Sequence, residues 1–184
     1  MSSRTQNLEG IILKRTNLGE TDRLVTLISQ EKGRFVCVAK GVRRLNSSTK
    51  AALEPGNIAR VQLINTKGLP LLVQAKLLED ASAARTDLVR IRQLAQILEI
   101  FDKLFVEEEI PQSTYELLLT IRSKLINNET QVIRHYLQKL LQTLGFKDEN
   151  NNSKQTMLEY VQQIAERPMR SFDYLQIKNH KNSK

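Results

Sequence analysis

Residues 34–57 read RFVCVAKGVRRLNSSTKAALEPGN, and their reading decides the fold. The first seven, Arg34–Lys40, place apolar side chains at consecutive interior positions, so both faces of an extended segment need cover. A barrel strand has this pattern when something also packs outside it. The chain then runs from Gly41 to Pro55–Gly56 as a long insert, with Ala51–Glu54 able to form a short helix. Outward from this stretch lie four more short runs rich in β-branched residues. Leu8–Arg15 (LEGIILKR) closes at the turn-like Asn17–Gly19, and Arg23–Ser29 (RLVTLIS) is joined to Arg34–Lys40 through Glu31–Lys32–Gly33. Ile58–Asn65 (IARVQLIN) and Leu71–Leu78 (LLVQAKLL) flank the turn Lys67–Pro70. Five strands with one long insert between the third and fourth match an OB-fold barrel, with a five-stranded half-sandwich as the competing arrangement.

After residue 80 the apolar spacing becomes helical. Leu88, Ile91, Leu94, Ala95, Leu98, Phe101 and Phe105 fall on one stripe. Pro111 and the box Ser113-x-x-Glu116 predict the start of a second helix, which buries Tyr115, Leu118, Leu119, Leu125–Ile126 and the stem of Arg122. A third begins at Thr130, carries Val132, Tyr136, Leu137, Leu140, Leu141 and Leu144, and ends at Gly145 as a left-handed cap. Residues 147–153 read as a polar loop, and Thr156-x-x-Glu159 opens a fourth helix that closes before Pro168. The expected class is α+β. An OB-fold β-barrel would occupy residues 1–80, and a helical domain of about four helices residues 81–184.

The 184 residues carry 28 lysines and arginines against 20 aspartates and glutamates, a net charge of +8. The first 80 residues hold a net +6 of that excess. The stretch from Lys32 to Lys50 has six positive charges and no acid, which points to a polyanionic partner. Catalytic and metal-binding chemistry finds little to work with. A single cysteine, Cys37, sits mid-strand among apolar residues and reads as a buried, inert thiol. The two histidines, His135 and His180, are too far apart in sequence for a helical metal pair. No GxxxxGK[ST] or GxGxxG loop is present, so no cofactor is expected. Glu107–Glu109 reads as a solvated linker between helices. With no signal-peptide core and no apolar run near 18 residues, a cytoplasmic, nucleoid-associated location is expected.

The basic candidates are Lys14, Arg15, Arg23, Lys32, Arg34, Lys40, Arg43, Arg44 and Lys50, all in the barrel or its insert. Phe35 is the only aromatic residue before Phe101, and single-strand binders of this class usually stack bases on several. Binding through backbone charge is therefore expected, with weak sequence preference and a steep salt dependence. Neutralising about six single-strand phosphates gives a log–log salt slope near −4, on the order of 10²-fold in affinity between 50 and 200 mM.

These residues also carry a resemblance. Glu9–Lys14, the turn Gly19–Leu24, Lys32–Gly33–Arg34, Val38–Arg44 (VAKGVRR), Ala52–Leu53–Glu54–Pro55 and Ala75–Glu79 resemble the N-terminal domain of the bacterial RecO family. Tyr136–Leu137, Leu140–Leu141, Leu144–Gly145–Phe146, Arg170–Ser171 and Leu175 resemble its helical part. The resemblance implies an OB-fold and a helical domain without turnover chemistry. It implies binding of single- and double-stranded DNA, with Arg15, Arg23, Arg34, Lys40, Arg43, Arg44 and Lys50 as the contacting positions, annealing of complementary strands, and help with RecA loading, together with RecR, on strands coated by single-strand-binding protein (SSB). It also implies docking of the acidic C-terminal tail of SSB, at positions matching Arg134, His135, Leu137 and Leu141. The cysteine-rich zinc module that many members carry after the Gly-aromatic pair has no counterpart after Gly145–Phe146. From the residues alone, an OB-type RNA-binding or ribosome-associated protein and an adaptor for acidic tails remain as alternatives.

Overall fold

The computed structural model describes residues 5–43, 49–146, 156–166, 168–171 and 174–175. Five strands, β1 (Thr5–Leu18), β2 (Asp22–Ser29), β3 (Gly33–Ala39), β4 (Ile58–Ile64) and β5 (Leu71–Glu79), close into a barrel in the order β1-β2-β3-β5-β4. The expected OB-fold is therefore present and the half-sandwich is excluded. The β3–β5 pairing is parallel, Val38 opposite Leu71 and Ala39 opposite Leu72, and all the others are antiparallel. A short helix, α1 (Thr49–Ala52), lies in the insert between β3 and β4.

Alternation explains the core. Phe35, Cys37 and Ala39 of β3 join Leu8, Ile12, Val25, Leu27, Val61, Leu63 and Leu72 inside the barrel. Ala52 and Leu53, at the end of α1 and just after it, join the same core. The other β3 face, Arg34, Val36 and Val38, is only half-buried. Burial pushes the Cys37 thiol up to about 12, so it stays protonated.

Strand β1 is long because it serves two neighbours. Thr5–Ile11 pair with β4, and Gly10–Leu18 pair with β2. At the handover, Gly10 faces Ala59 on one side and Ser29 on the other. A Cβ on Gly10 would stand 2.6 Å from the Ile28 carbonyl oxygen, so only glycine lets the strands approach this closely. Asn57, almost fully buried, ties the insert to this region. Its backbone carbonyl accepts from the Ile12 N–H at 2.9 Å, while its side chain donates to the Ala51 carbonyl and accepts from the Ala81 N–H.

The chain divides into two compact units, Met1–Ser82 with Phe105–Gln112, and Ala83–Leu104 with Ser113–Lys184. Glu107–Glu109, expected as a solvated linker, are exposed, while the backbone of residues 106–110 bonds to the barrel on either side of them. The Arg34 N–H donates to the Val106 carbonyl at 2.8 Å, and the Ile110 N–H donates to the Gln30 carbonyl at 2.7 Å. Lys32 pairs with Glu107 at 2.7 Å. Gly33 makes this contact possible. Its φ is +63°, and a Cβ there would stand 2.5 Å from the Val106 carbonyl oxygen and closer still to that of Glu108.

The second unit holds α2 (Leu88–Leu104), α3 (Gln112–Ile126, whose first residue clusters with the barrel), α4 (Ile133–Thr143) and α5 (Met157–Ala165). Leu94, Ile97, Leu98 and Phe101 of α2, Leu118, Ile121 and Leu125 of α3, Leu137, Leu140 and Leu141 of α4, and Met157, Leu158 and Val161 of α5 are buried. Gly145 ends α4 as expected, with φ +86°, the Gly145 N–H on the Gln142 carbonyl and the Phe146 N–H on that of Leu141. The Thr156–Glu159 capping box is also formed.

Four expectations shift. Leu88, Ile91 and Ala95 stay exposed, because periodicity gives the side a residue faces but not how far the covering neighbour extends. Arg122 is buried whole, not by its stem alone. Helix α3 starts at Gln112, which places Ser113 inside its first turn and not at its cap. Thr130–Val132 form a 3-10 turn ahead of α4. The predicted polar loop at 147–153 lies outside the described residues.

A final segment is held on α2. The Arg170 and Ser171 N–H groups donate to the Glu99 carboxylate at 2.7 and 2.8 Å, and the Leu175 N–H donates to the Gln96 side-chain oxygen at 2.9 Å. Burial works against ionisation of Glu99, but the N–H donors outweigh it and hold its carboxyl below the usual range.

Three outcomes follow from these contacts. Gly33→Ala, which forces a side chain into a left-handed site and into backbone, should cost at least about 2 kcal/mol in denaturant unfolding, whereas Gly68→Ala, with nothing within 4 Å, should cost about 1 or less. Cys37 should resist a thiol reagent at pH 8 in the native protein and react at once in denaturant. Because the folded pKa of Glu99 is depressed, its contribution is complete above its unfolded value of about 4.3 and is lost as pH falls through the folded value. The Ser171 amide resonance should report that loss on acidification, and Glu99→Gln should weaken the attachment already at pH 7.

Candidate nucleic-acid interface

The basic end of the barrel is built by a bulge and a tight hairpin. Ile12 pairs with Leu27 but Lys14 pairs with Thr26, so Leu13 is an extra residue in β1. Before the bulge, Leu8 and Ile12 face the core. After it the parity switches, and Arg15 stands opposite the core residue Val25. Two pairs further, Asn17 stands opposite Arg23, which in turn stands opposite the core residue Ala39 on β3. Directly opposed residues share a sheet face. Arg15, Asn17 and Arg23 thus continue the barrel's interior face out past its apolar core.

A second loop closes over them. The Gly41 N–H donates to the Asp22 carboxylate at 2.8 Å, and the Arg43 N–H donates to the Thr21 carbonyl at 3.0 Å. The Arg43 guanidinium then donates to the Gly19 carbonyl at 3.0 Å, in the β1–β2 turn. Arg23 Nε donates to Asn17 Oδ1 at 3.4 Å, while its Nη1 is buried without a hydrogen-bond partner. Arg15 is ion-paired with Glu54, which follows α1. Burial of the Arg23 guanidinium, then repulsion from Arg15 and Arg43, lowers its pKa from the ordinary arginine value, with Glu54 acting in the opposite direction. Arg23 still remains charged at neutral pH. Three guanidinium groups therefore share one small region with the Glu54 carboxylate, and the Asp22 carboxylate holds the Gly41 N–H of the loop beside them.

The candidates do not all belong to it. Lys40 follows Ala39 at the same end of β3 and is exposed, and Lys50 is exposed on α1. Arg34 lies six residues from Lys40, about 20 Å along an extended strand, and beside the attachment of residues 106–110. It is half-buried. Lys32, in the same acid-free stretch, is neutralised by Glu107. Arg44 lies outside the described residues. The basic run of the sequence is thus split between two ends of one strand. On the helical unit, His135 is exposed and Arg134 half-buried, but Leu137 and Leu141 are core residues and offer no apolar surface beside them.

Sequence reasoning missed Glu54, Asn17 and the Gly19 carbonyl as partners. The Asn17–Arg23 pairing was within reach. A three-residue turn at Gly19–Thr21 puts Leu18 opposite Asp22 and, one step on, Asn17 opposite Arg23. Among the described residues no group of histidine, cysteine and acidic side chains could hold a metal ion, and no helix is long and apolar enough to cross a membrane.

Comparison with known proteins bears on the family of this chain. The family model described as "Recombination protein O N terminal" matches residues 1–81. A DNA repair protein RecO of Symbiobacterium thermophilum is 31% identical over 144 residues, covering 77% of this chain and 57% of that protein. Its counterpart in a Nocardioides species is 35% identical over 143 residues, covering 75% and 59%. That of Bacillus pumilus is 30% identical over 143 residues, covering 77% and 56%. The chain spans a little over half the length of the relatives it matches. Likeness that begins in the closed barrel and continues into the helices places this chain in the RecO family.

Proposed function

We propose that this chain is a DNA-repair protein that grips nucleic-acid strands by their phosphates at the Arg15–Arg23–Arg43 end of its barrel. The observation that carries the reading is the gathering of three guanidinium groups, with exposed Lys40 following at the end of β3, against only two carboxylates, Glu54 and Asp22. Such a site holds an excess of positive charge that a phosphodiester neutralises, and the counterions released give the binding its driving force. The names of the relatives, DNA repair proteins, favour DNA over RNA as the strand.

The same chemistry accounts for annealing. Two complementary strands repel through their phosphates. A cationic surface lowers that repulsion, and a barrel whose one early aromatic, Phe35, is buried leaves the bases unstacked and free to pair. No ATP enters. RecR, RecA loading and the SSB tail belong to this reading through the family. For the tail, only Arg134 and His135 of the four matching positions are accessible.

With Lys32 neutralised and Arg34 at the other end of β3, about four single-strand phosphates are held, so the log–log salt slope should be near −3. In fluorescence anisotropy with single-stranded oligonucleotides, the double substitution Arg23→Gln, Arg43→Gln should weaken binding at least about tenfold. It should also flatten the slope by about 1.4, or 0.7 per lost phosphate. Annealing of complementary strands should fall in parallel. Full affinity and annealing in a folded double variant would overturn the assignment. A preference for RNA over DNA of the same sequence would support the RNA-binding alternative.

A further inference from the structure

The barrel end contains a mismatch that the proposed function leaves unexplained. Arg15 has a carboxylate partner in Glu54, while Arg23 Nη1, on the same face, is buried with no acceptor. A buried donor without a partner has given up its hydration and gained no hydrogen bond in exchange, which costs most when the group is charged. Glu54 lies in Ala52–Leu53–Glu54–Pro55, where Leu53 is fully buried and the Glu54 carbonyl accepts from the Asn57 N–H at 3.1 Å. Its backbone is therefore anchored while its carboxylate stays within reach of solvent: the side chains of Arg15 and Glu54 are 29% and 26% exposed. A carboxylate held this way presents oxygen acceptors to a guanidinium as a phosphodiester does.

We propose that Glu54 is an internal substitute for phosphate: it occupies Arg15 in the DNA-free protein and is displaced by a backbone phosphate that bridges Arg15 and Arg23. The proposal deepens the phosphate-gripping reading and rests on it. Displacement supplies acceptors to both guanidinium groups, including the one left unmatched in the free protein. It also releases a carboxylate into water, which offsets part of the binding energy. Glu54 thus lowers affinity and keeps the empty site from holding stray anions.

The bland alternative is that the pair only fastens the insert to β1. The two differ in sign. If Glu54 competes with phosphate, Glu54→Gln should tighten binding of a short oligothymidylate about fivefold, because no carboxylate has to be displaced from Arg15. Inorganic phosphate should also become a better competitor for the oligonucleotide. If Glu54 is only a fastening, the variant loses melting temperature and binds no better, and the proposal falls. The wild-type chain provides a test that needs no variant. Titration with oligothymidylate should move the Nε–H resonances of both Arg15 and Arg23, and an unmoved Arg15 would overturn the proposal. A wild-type protein that binds no oligonucleotide would instead remove the functional reading beneath it. Binding that is unchanged or weaker in Glu54→Gln removes this inference and leaves that reading standing.

Discussion

Strand β1 hydrogen-bonds to two partners, β4 along its first half and β2 along its second, and the extra residue at Leu13 sets which of its side chains face inward beyond the core. The placement of charge at the barrel end depends on that pairing. With Leu13 in the ladder, Arg15 shares a face with Val25 and lies two pairs from the Asn17–Arg23 step. Without the bulge, Lys14 would take that place and Arg15 would turn outward. Gly10, one turn of the pleat earlier, lets the two sheet halves come close enough for the handover. A backbone irregularity and a missing side chain thus decide the electrostatics of a surface several residues away.

The cationic end is held in a state of tension that suits a binding site. Three guanidinium groups repel one another, and one of them is partly desolvated. Hydrogen bonds to uncharged acceptors, the Gly19 carbonyl and the Asn17 amide, orient two of them without cancelling their charge. Elsewhere on the barrel the same residue types are neutralised. Arg60 pairs with its cross-strand neighbour Glu9, and Lys32 with Glu107. The contrast separates cations each matched by a carboxylate from a barrel end where cations outnumber carboxylates.

Much of the fold could be read in the sequence, because strand alternation, turn residues and the long insert after Lys40 are all local signals. The capping box at Thr156 and the glycine cap at Gly145 were equally legible, since each depends on residues three or four apart. The site was legible only in outline. The run Lys32–Lys50 reads as one basic stretch, yet a strand carries Arg34 and Lys40 to opposite ends, and residues 106–110, distant in sequence, come to cover one of them. Glu54 gave no sign of being the partner of Arg15, because that contact spans 39 positions and depends on both the bulge and the path of the insert. Leu137 and Leu141 are buried while Leu88 and Ile91 are exposed, because helical spacing predicts a face and tertiary packing decides whether that face is covered.

The central claim is that the barrel end holds phosphates and leaves bases alone, and chemically edited strands test it most directly. An oligonucleotide stripped of its bases should bind as well as the intact one, and one carrying uncharged methylphosphonate linkages should lose nearly all affinity. Retained binding of the uncharged backbone together with loss on removing the bases would contradict the account.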